Sequence, residues 1–151
     1  MLSFRERDIR NLIGDLLDQT GAFDGVYLSG LPEDRGETAG DSRAVVIEPD
    51  MTTRTDPTDD FDGDPLLSAQ VKLVFMARDE DPQVRDEVAE MLLNIAAVTL
   101  DGNTLGGMVL PSRTKIRSWS WQKPVAPERR ITAILEFQYL GDGWASFNTA
   151  D

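Results

Sequence analysis

Residues 66–100 read LLSAQVKLVFMARDEDPQVRDEVAEMLLNIAAVTL, and they decide the fold because their apolar periodicity changes part-way along. Alternating apolar side chains predict a strand over 66–77 with one buried face, formed by Leu67, Ala69, Val71, Leu73 and Phe75. After Asp81 the apolar residues recur at three- and four-residue spacing, which predicts a helix. A strand that leads into an amphipathic helix indicates a helix packed on a sheet.

The predicted helix after the strand has signals at both ends. Asp81 is a favourable N-cap, Pro82 fits the first helical position, and Asp101-Gly102 marks the end. Since Asp81 has this capping role, we favour a structural role over acid–base chemistry for the carboxylates at 79–81. We expect the buried stripe of the helix to consist of Val84, Val88, Met91, Leu92, Ile95 and Val98.

Further elements lie on both sides of this unit. Residues 4–20 predict an amphipathic helix that begins with a Ser3/Glu6 capping box, stops at Gly21 and buries Ile9, Leu12, Ile13, Leu16 and Leu17. Strands are predicted at 25–29, 43–48, 114–122 and 129–140, the last with Ile131, Ala133, Leu135, Phe137 and Tyr139 on one face. Pro49 is expected to end the 43–48 strand.

The element order of helix, three strands, helix and two strands predicts the fold class. We expect a single α+β domain over 1–151, with an antiparallel or mixed sheet of about four to five strands covered by two helices. Residues 49–64 are expected to form a mobile acidic loop, and residues 141–151 a C-terminal tail.

The composition narrows the possible functions. The 151 residues include no cysteine and no histidine, which excludes disulfides, thiolate zinc sites and histidine-based catalytic triads. We therefore expect a protein that is not an enzyme and needs no cofactor. No apolar run reaches the roughly 18 residues of a membrane helix, and the N-terminus lacks a signal-peptide core, so we expect synthesis in the cytoplasm and no membrane partner.

The net charge of −12 is unevenly distributed along the chain. Residues 1–64 contain 16 acidic and 6 basic side chains, whereas the segment 113–130 contains six basic residues and one acid, Glu128. Such a chain can attract copies of itself head to tail. Alternatively, folding mixes these charges over the surface, and the sequence leaves both possibilities open.

The densest acidic stretch, DPTDDFDGDP at 56–65, contains Asp56, Asp59, Asp60, Asp62 and Asp64. Aligned on Gly63 as an EF-hand, it places Thr58, Asp60 and Asp62 at the first three ligand positions, but Ala69 falls where the bidentate glutamate belongs. We therefore expect a solvated acidic loop and no metal site, with a loose calcium contact as the alternative. Gly102, Gly106 and Gly107 follow a helix instead of opening one, which argues against phosphate binding.

A basic and aromatic segment lies near the other end of the chain. Arg113, Lys115, Arg117, Trp119 and Trp121 alternate along one predicted strand, so we expect their side chains to share a face. This pattern fits a protein interface, an ordinary strand surface, or stacking and phosphate contacts with single-stranded nucleic acid. The net charge opposes the last. We also count Arg129 and Arg130 among the subunit-interface candidates.

The segments FMARDEDPQVRDEVAEMLLNIAAVTLDGNTLGG, TKIRSWSW and RRITAILEFQYL resemble, in order and spacing, the tail-terminator or tail-completion proteins of long-tailed bacteriophages. With the first helix and RAVVIEP, the resemblance covers residues 4–140. It implies an α+β structural protein of the virion tail or neck that forms a homo-oligomeric ring, commonly a hexamer. The ring caps the tail tube, ends its polymerisation and joins it to the head connector.

The resemblance also implies partners and site residues. The partners are further copies of the chain, the tail tube protein, the head–tail connector, and genome DNA that passes through the lumen without specific binding. Asp56, Asp59, Asp60, Asp62 and Asp64 would line the lumen or reach a neighbouring ring. The alternatives are another neck or head-completion protein, or a small module that binds single-stranded nucleic acid.

Overall fold

The computed structural model describes residues 5–28, 40–54, 66–110 and 113–140. In chain order these contain α1 (Arg5–Gln19), β1 (Gly25–Tyr27), β2 (Arg43–Arg54), β3 (Leu66–Arg78), α2 (Pro82–Leu100), β4 (Lys115–Trp121) and β5 (Glu128–Leu140). The strands form one sheet in the order β1-β2-β3-β5-β4. Only the β1/β2 pair is parallel, so the sheet is mixed and the predicted α+β fold is confirmed.

The centre of the sheet is the antiparallel pair of β3 and β5. Their register runs without interruption from Leu66 opposite Leu140 to Arg78 opposite Glu128. The buried faces predicted from alternation in β3 and β5 are confirmed. Their apolar side chains form one buried cluster with residues from both helices. Burial on one face fixes this register, because a slip by one residue would turn every apolar side chain outward.

Both helices cover the same face of the sheet. α1 packs near β1 and β2, and α2 packs across β3 and β5. α2 also connects β3 to β4, which lie on either side of β5, so these elements form a split β-α-β unit. Within the described ranges, neither helix is long and apolar enough to cross a membrane.

α1 buries the predicted face. Ile9, Ile13 and Leu17 are fully buried, and Leu12 and Leu16 pack at the margin of the same cluster. The helix stops as expected at Gly21, whose φ of 73° is easily reached only by a residue without a side chain. Ser3, half of the predicted capping box, lies outside the described residues.

The ends of α2 also agree with the sequence. A carboxylate oxygen of Asp81 accepts a hydrogen bond from the Gln83 backbone N–H at 2.9 Å, which is the expected capping contact. The helix ends at Leu100, and Gly102 adopts a φ of 68°. Gly106 and Gly107 have φ values of 70° and 84° in the following turns, so their backbone geometry accounts for these glycines without a phosphate ligand.

β2 is longer than predicted, because the strand continues through Pro49 to Arg54. Residues 49–54 are therefore strand and not loop. β1 pairs only with Ala44–Val46, so the far half of β2 has a free edge within the described sheet, and a bulge follows Pro49. Edges and bulges are the places where a strand tolerates proline. The remainder of the predicted acidic loop and the tail at 141–151 lie outside the described residues.

Gly14 offers a test of how α1 packs on the sheet. A Cβ at this position would lie 3.5 Å from Ile47 Cδ1 and 3.6 Å from Val26 Cγ1, both ordinary contacts. Alanine therefore fits, and Gly14→Ala should stabilise the protein by up to about 1 kcal/mol through helix propensity. We expect thermal unfolding to move upward by about 2–4 °C for a chain of this size. Gly21→Ala is the control and should lower the midpoint, because Gly21 has a positive φ.

Candidate subunit interface

α2 does not bury the stripe that its large apolar residues predict. Of that stripe only Leu92 is fully buried, while the face against the sheet consists of Ala89, Leu92, Leu93, Ala96 and Leu100. The prediction was wrong because the helix has two apolar stripes: alanines and leucines pack against the sheet, whereas the valines, Met91 and Ile95 form the outer stripe. Short alanine side chains suit a helix that packs over bulky sheet residues such as Phe75 and Phe137.

The outer stripe, which we call the α2 seam, consists of Val84, Val88, Met91, Ile95 and Val98. Its spacing of four, three, four and three residues is that of a coiled-coil seam. Val84, Met91 and Val98 are 38%, 37% and 83% exposed, and Val88 and Ile95 are half-buried. An open groove of about 650 Å³ is lined by Met91, Ile95 and Val98 of the seam and by Thr20, Glu87, Glu90, Asn94 and Thr99. The α2 seam is therefore an apolar surface with an acidic border.

β4 is the edge strand next to β5, and a bulge in it changes which side chains lie on each face of the sheet. Ile116 lies opposite Leu135 and Ser118 opposite Ile134, so Arg117 is the extra residue. Trp119 and Trp121 consequently point to the helix-covered face. Lys115 lies opposite Glu136 in the strand register, and its side chain is on the other face. The expectation that the basic and aromatic residues share one face was wrong, since a bulge reverses the alternation.

Trp121 contributes to packing within the chain. It packs against the core cluster, and the Arg129 guanidinium carbon lies 4.4 Å from its ring centroid. Arg129 also pairs with Asp86 on α2, with Nε and Oδ1 3.3 Å apart in a geometry that does not make a hydrogen bond, and donates to the Gln122 carbonyl oxygen at 3.1 Å. These contacts join β4, β5 and α2.

The other arginine candidates contact acceptors on the face of the sheet that the helices leave uncovered. Arg117 donates two hydrogen bonds to the Glu136 carboxylate, at 2.8 and 2.9 Å. Arg113 donates to the Gln138 side-chain oxygen at 3.1 Å. The Glu128 carboxylate lies between Arg78 and Arg130, at 2.7 and 2.9 Å. Arg117 and Arg130 therefore neutralise acids of their own sheet, whereas Arg113 contacts a neutral amide.

Lys115, Trp119 and Lys123 remain available on the β4 edge, and we call them the β4 edge patch. Trp119 projects from the helix-covered face of the sheet and Lys115 from the other face, so the patch straddles the edge. Trp119 is 52% exposed and makes an edge-on contact with Trp121 at 6.4 Å between ring centroids. Both lysines are exposed, and neither forms an ion pair within the described part of the chain. A second groove, of about 410 Å³, separates this edge from the end of α2 and is lined by Ala97, Val98, Asp101, Lys115 and Ile116.

The five aspartates predicted to face a lumen, Asp56, Asp59, Asp60, Asp62 and Asp64, lie outside the described residues. Ala69, at the last EF-hand ligand position, is a fully buried residue of β3 and offers no oxygen ligand from its side chain. Among residues 5–28, 40–54, 66–110 and 113–140, no group of three or more acidic side chains is arranged to hold a metal ion.

No protein-family model matches the chain, and no curated protein matches its sequence. Among solved structures, the chain is similar to one from a structure titled "Virion of native gene transfer agent (GTA) particle". The two are 15% identical, and the match covers 83% of this chain and 84% of the other, with a TM-score of 0.44.

The contacts of Arg129 predict that it stabilises the fold of the single chain. Arg129→Ala removes the contact with the Trp121 ring and the ion pair with Asp86, and should lower the free energy of unfolding by about 1–2 kcal/mol. Lys115→Ala, on the neighbouring strand β4, is the matched control and should change stability by less than about 0.5 kcal/mol. Urea denaturation followed by tryptophan fluorescence measures both, and equal midpoints for the two variants would contradict this role of Arg129.

Proposed function

We propose that this protein is a structural component of a phage virion whose copies form a ring that caps the tail tube. The ring ends tube polymerisation and provides the surface that the head connector joins. The sequence resemblance to tail terminators supports this role, and the α+β fold is the one that this resemblance implies. A hexamer is the ring size that the resemblance favours.

The observation that carries the proposal is the pair of unlike exposed surfaces on one small domain. The α2 seam is apolar with an acidic border, and the β4 edge patch combines one tryptophan with two lysines. Exposed apolar and aromatic groups of this kind are typical of protein interfaces. A protein with two different complementary surfaces assembles head to tail, and such contacts generate rings when the rotation closes.

The bulge in β4 weighs against the nucleic-acid alternative. Binding of single strands needs aromatic rings and cationic side chains along the same groove. In this sheet the two tryptophans lie on the helix-covered face, and Arg117 is on the opposite face with its charge paired to Glu136. The segment therefore lacks the continuous basic and aromatic groove that the sequence alone suggests.

Deleting the gene from a phage that carries it tests the proposed step directly. Without a cap the tube protein continues to polymerise, so negative-stain microscopy of lysates should show over-long tails without heads. Complementation from a plasmid should restore the normal tail length. Tails of normal length beside full, unattached heads would contradict the capping role and would place the protein in the neck, at head completion.

The acidic stretch at 56–64 has a proposed use in the same assembly. A ring of aspartates around the lumen would repel DNA phosphates and let the genome slide without sticking. Replacing Asp59, Asp60 and Asp62 with serine should therefore reduce the phage titre or the efficiency of DNA delivery. Complementation of the deletion strain with this variant measures the effect, and a wild-type titre would rule out a role for these charges.

A further inference from the structure

We propose that the α2 seam of one copy receives the β4 edge patch of a second copy, with Trp119 seated beside Met91 and Val98. This inference rests on the proposed ring assembly and adds the contact that builds it. It also makes the α2 seam, absent from the interface residues expected from the sequence, one half of the subunit interface.

The α2 seam has the properties of a surface that a partner covers. Val98 is 83% exposed although it lies between two grooves, and Val84 and Met91 continue the same line along the helix. A helix that only covers a sheet needs one apolar stripe, and α2 already supplies it with its buried face. A second stripe at coiled-coil spacing, exposed in the protomer, is explained by an apolar partner.

Charge decides which partner fits. Glu87 and Glu90 border the α2 seam, so packing the seam against the same seam of another copy would bring like charges together. The C-terminal residues 141–151 contain two aspartates and no basic residue, and they are disfavoured for the same reason. The β4 edge patch has the opposite charge, because Lys115 and Lys123 stand four residues before and after Trp119 and no acid lies between them. Lys115 leaves the strand on the face opposite Trp119, so a partner that packs along the edge contacts both.

The placement of the two surfaces makes the contact heterologous. Val84, Met91 and Val98 of the α2 seam lie outside the buried face of the helix, whereas β4 is the last strand of the described sheet. Val98 and Lys115 border one groove of the same copy, but Val84, Met91 and Trp119 lie outside it, so the two surfaces can contact different neighbours. This is the arrangement from which a closed ring is built.

Cysteine cross-linking tests the contact, because the chain contains no native cysteine. Val98→Cys and Trp119→Cys are made as separate variants of the full-length protein, mixed after partial unfolding and reassembly, and treated with a short bismaleimide. We expect a cross-linked dimer in the mixture and none in either variant alone. Leu28→Cys, at a residue that is 40% exposed and follows β1 at the opposite edge of the sheet, is the control and should give no product with Val98→Cys.

The possible outcomes separate this contact from the ring itself. Cross-linking of Val98→Cys alone would show that two α2 seams meet, and would overturn the inference. Oligomers in native mass spectrometry without a cross-link in the mixture would overturn the inference and leave the ring proposal standing. A protein that stays monomeric at every concentration would refute both.

Charge exchange provides a second measurement that does not depend on cross-linker geometry. A Glu87→Lys/Glu90→Lys chain and a Lys115→Glu/Lys123→Glu chain should each oligomerise at least ten-fold more weakly than the natural protein, because each brings like charges together. Mixing the two should restore the oligomer, since every contact in an alternating assembly then joins opposite charges. Failure of the mixture to assemble, or normal assembly of either chain alone, would contradict the inference.

Discussion

The antiparallel pairing of β3 with β5 is the constraint on which the rest of the described structure depends. Its uninterrupted register places alternate apolar side chains of both strands on one face, and both helices contribute to the cluster that covers this face. Because β5 lies between β3 and β4, the chain must cross from one side of β5 to the other, and α2 makes that crossing over the sheet. The same pairing leaves β4 at the edge of the described sheet, where Trp119 is half exposed.

Two local features give this fold two different exposed surfaces. α2 has a second apolar stripe that faces outward with Glu87 and Glu90 beside it. The bulge at Arg117 sends the arginine to one face, where Glu136 pairs with it, and Trp119 to the other. The exposed edge therefore combines an accessible aromatic ring with lysines at a distance along the strand. An acidic apolar surface and a basic aromatic surface in different places favour assembly in one direction over pairing of like with like.

The secondary structure follows closely from sequence patterns, and the orientation of side chains does so less well. Local signals were enough to identify the strands and helices. Alternation predicted β3 and β5, Asp81 marked the start of α2, and Gly21 marked the end of α1. Apolar periodicity could not predict which face of α2 is buried, because the helix has two apolar stripes of equal regularity. Val84, Met91 and Val98 belong to the exposed stripe, and Leu92 and Leu93 belong with alanines to the buried one. The deciding factor is the close approach of helix and sheet, which is a tertiary property. The bulge at Arg117 and the continuation of β2 through Pro49 likewise depend on which neighbouring strand is present.

The central claim is that copies of this chain assemble through two unlike surfaces. Electron cryomicroscopy of the purified full-length protein at assembling concentrations examines it most directly, because the positions of α2 and β4 can be traced in every copy. The account predicts a closed ring in which the α2 seam of each copy contacts β4 of the next. A ring in which Val98 and Trp119 both face solvent, or a symmetric dimer through two α2 helices, would contradict it.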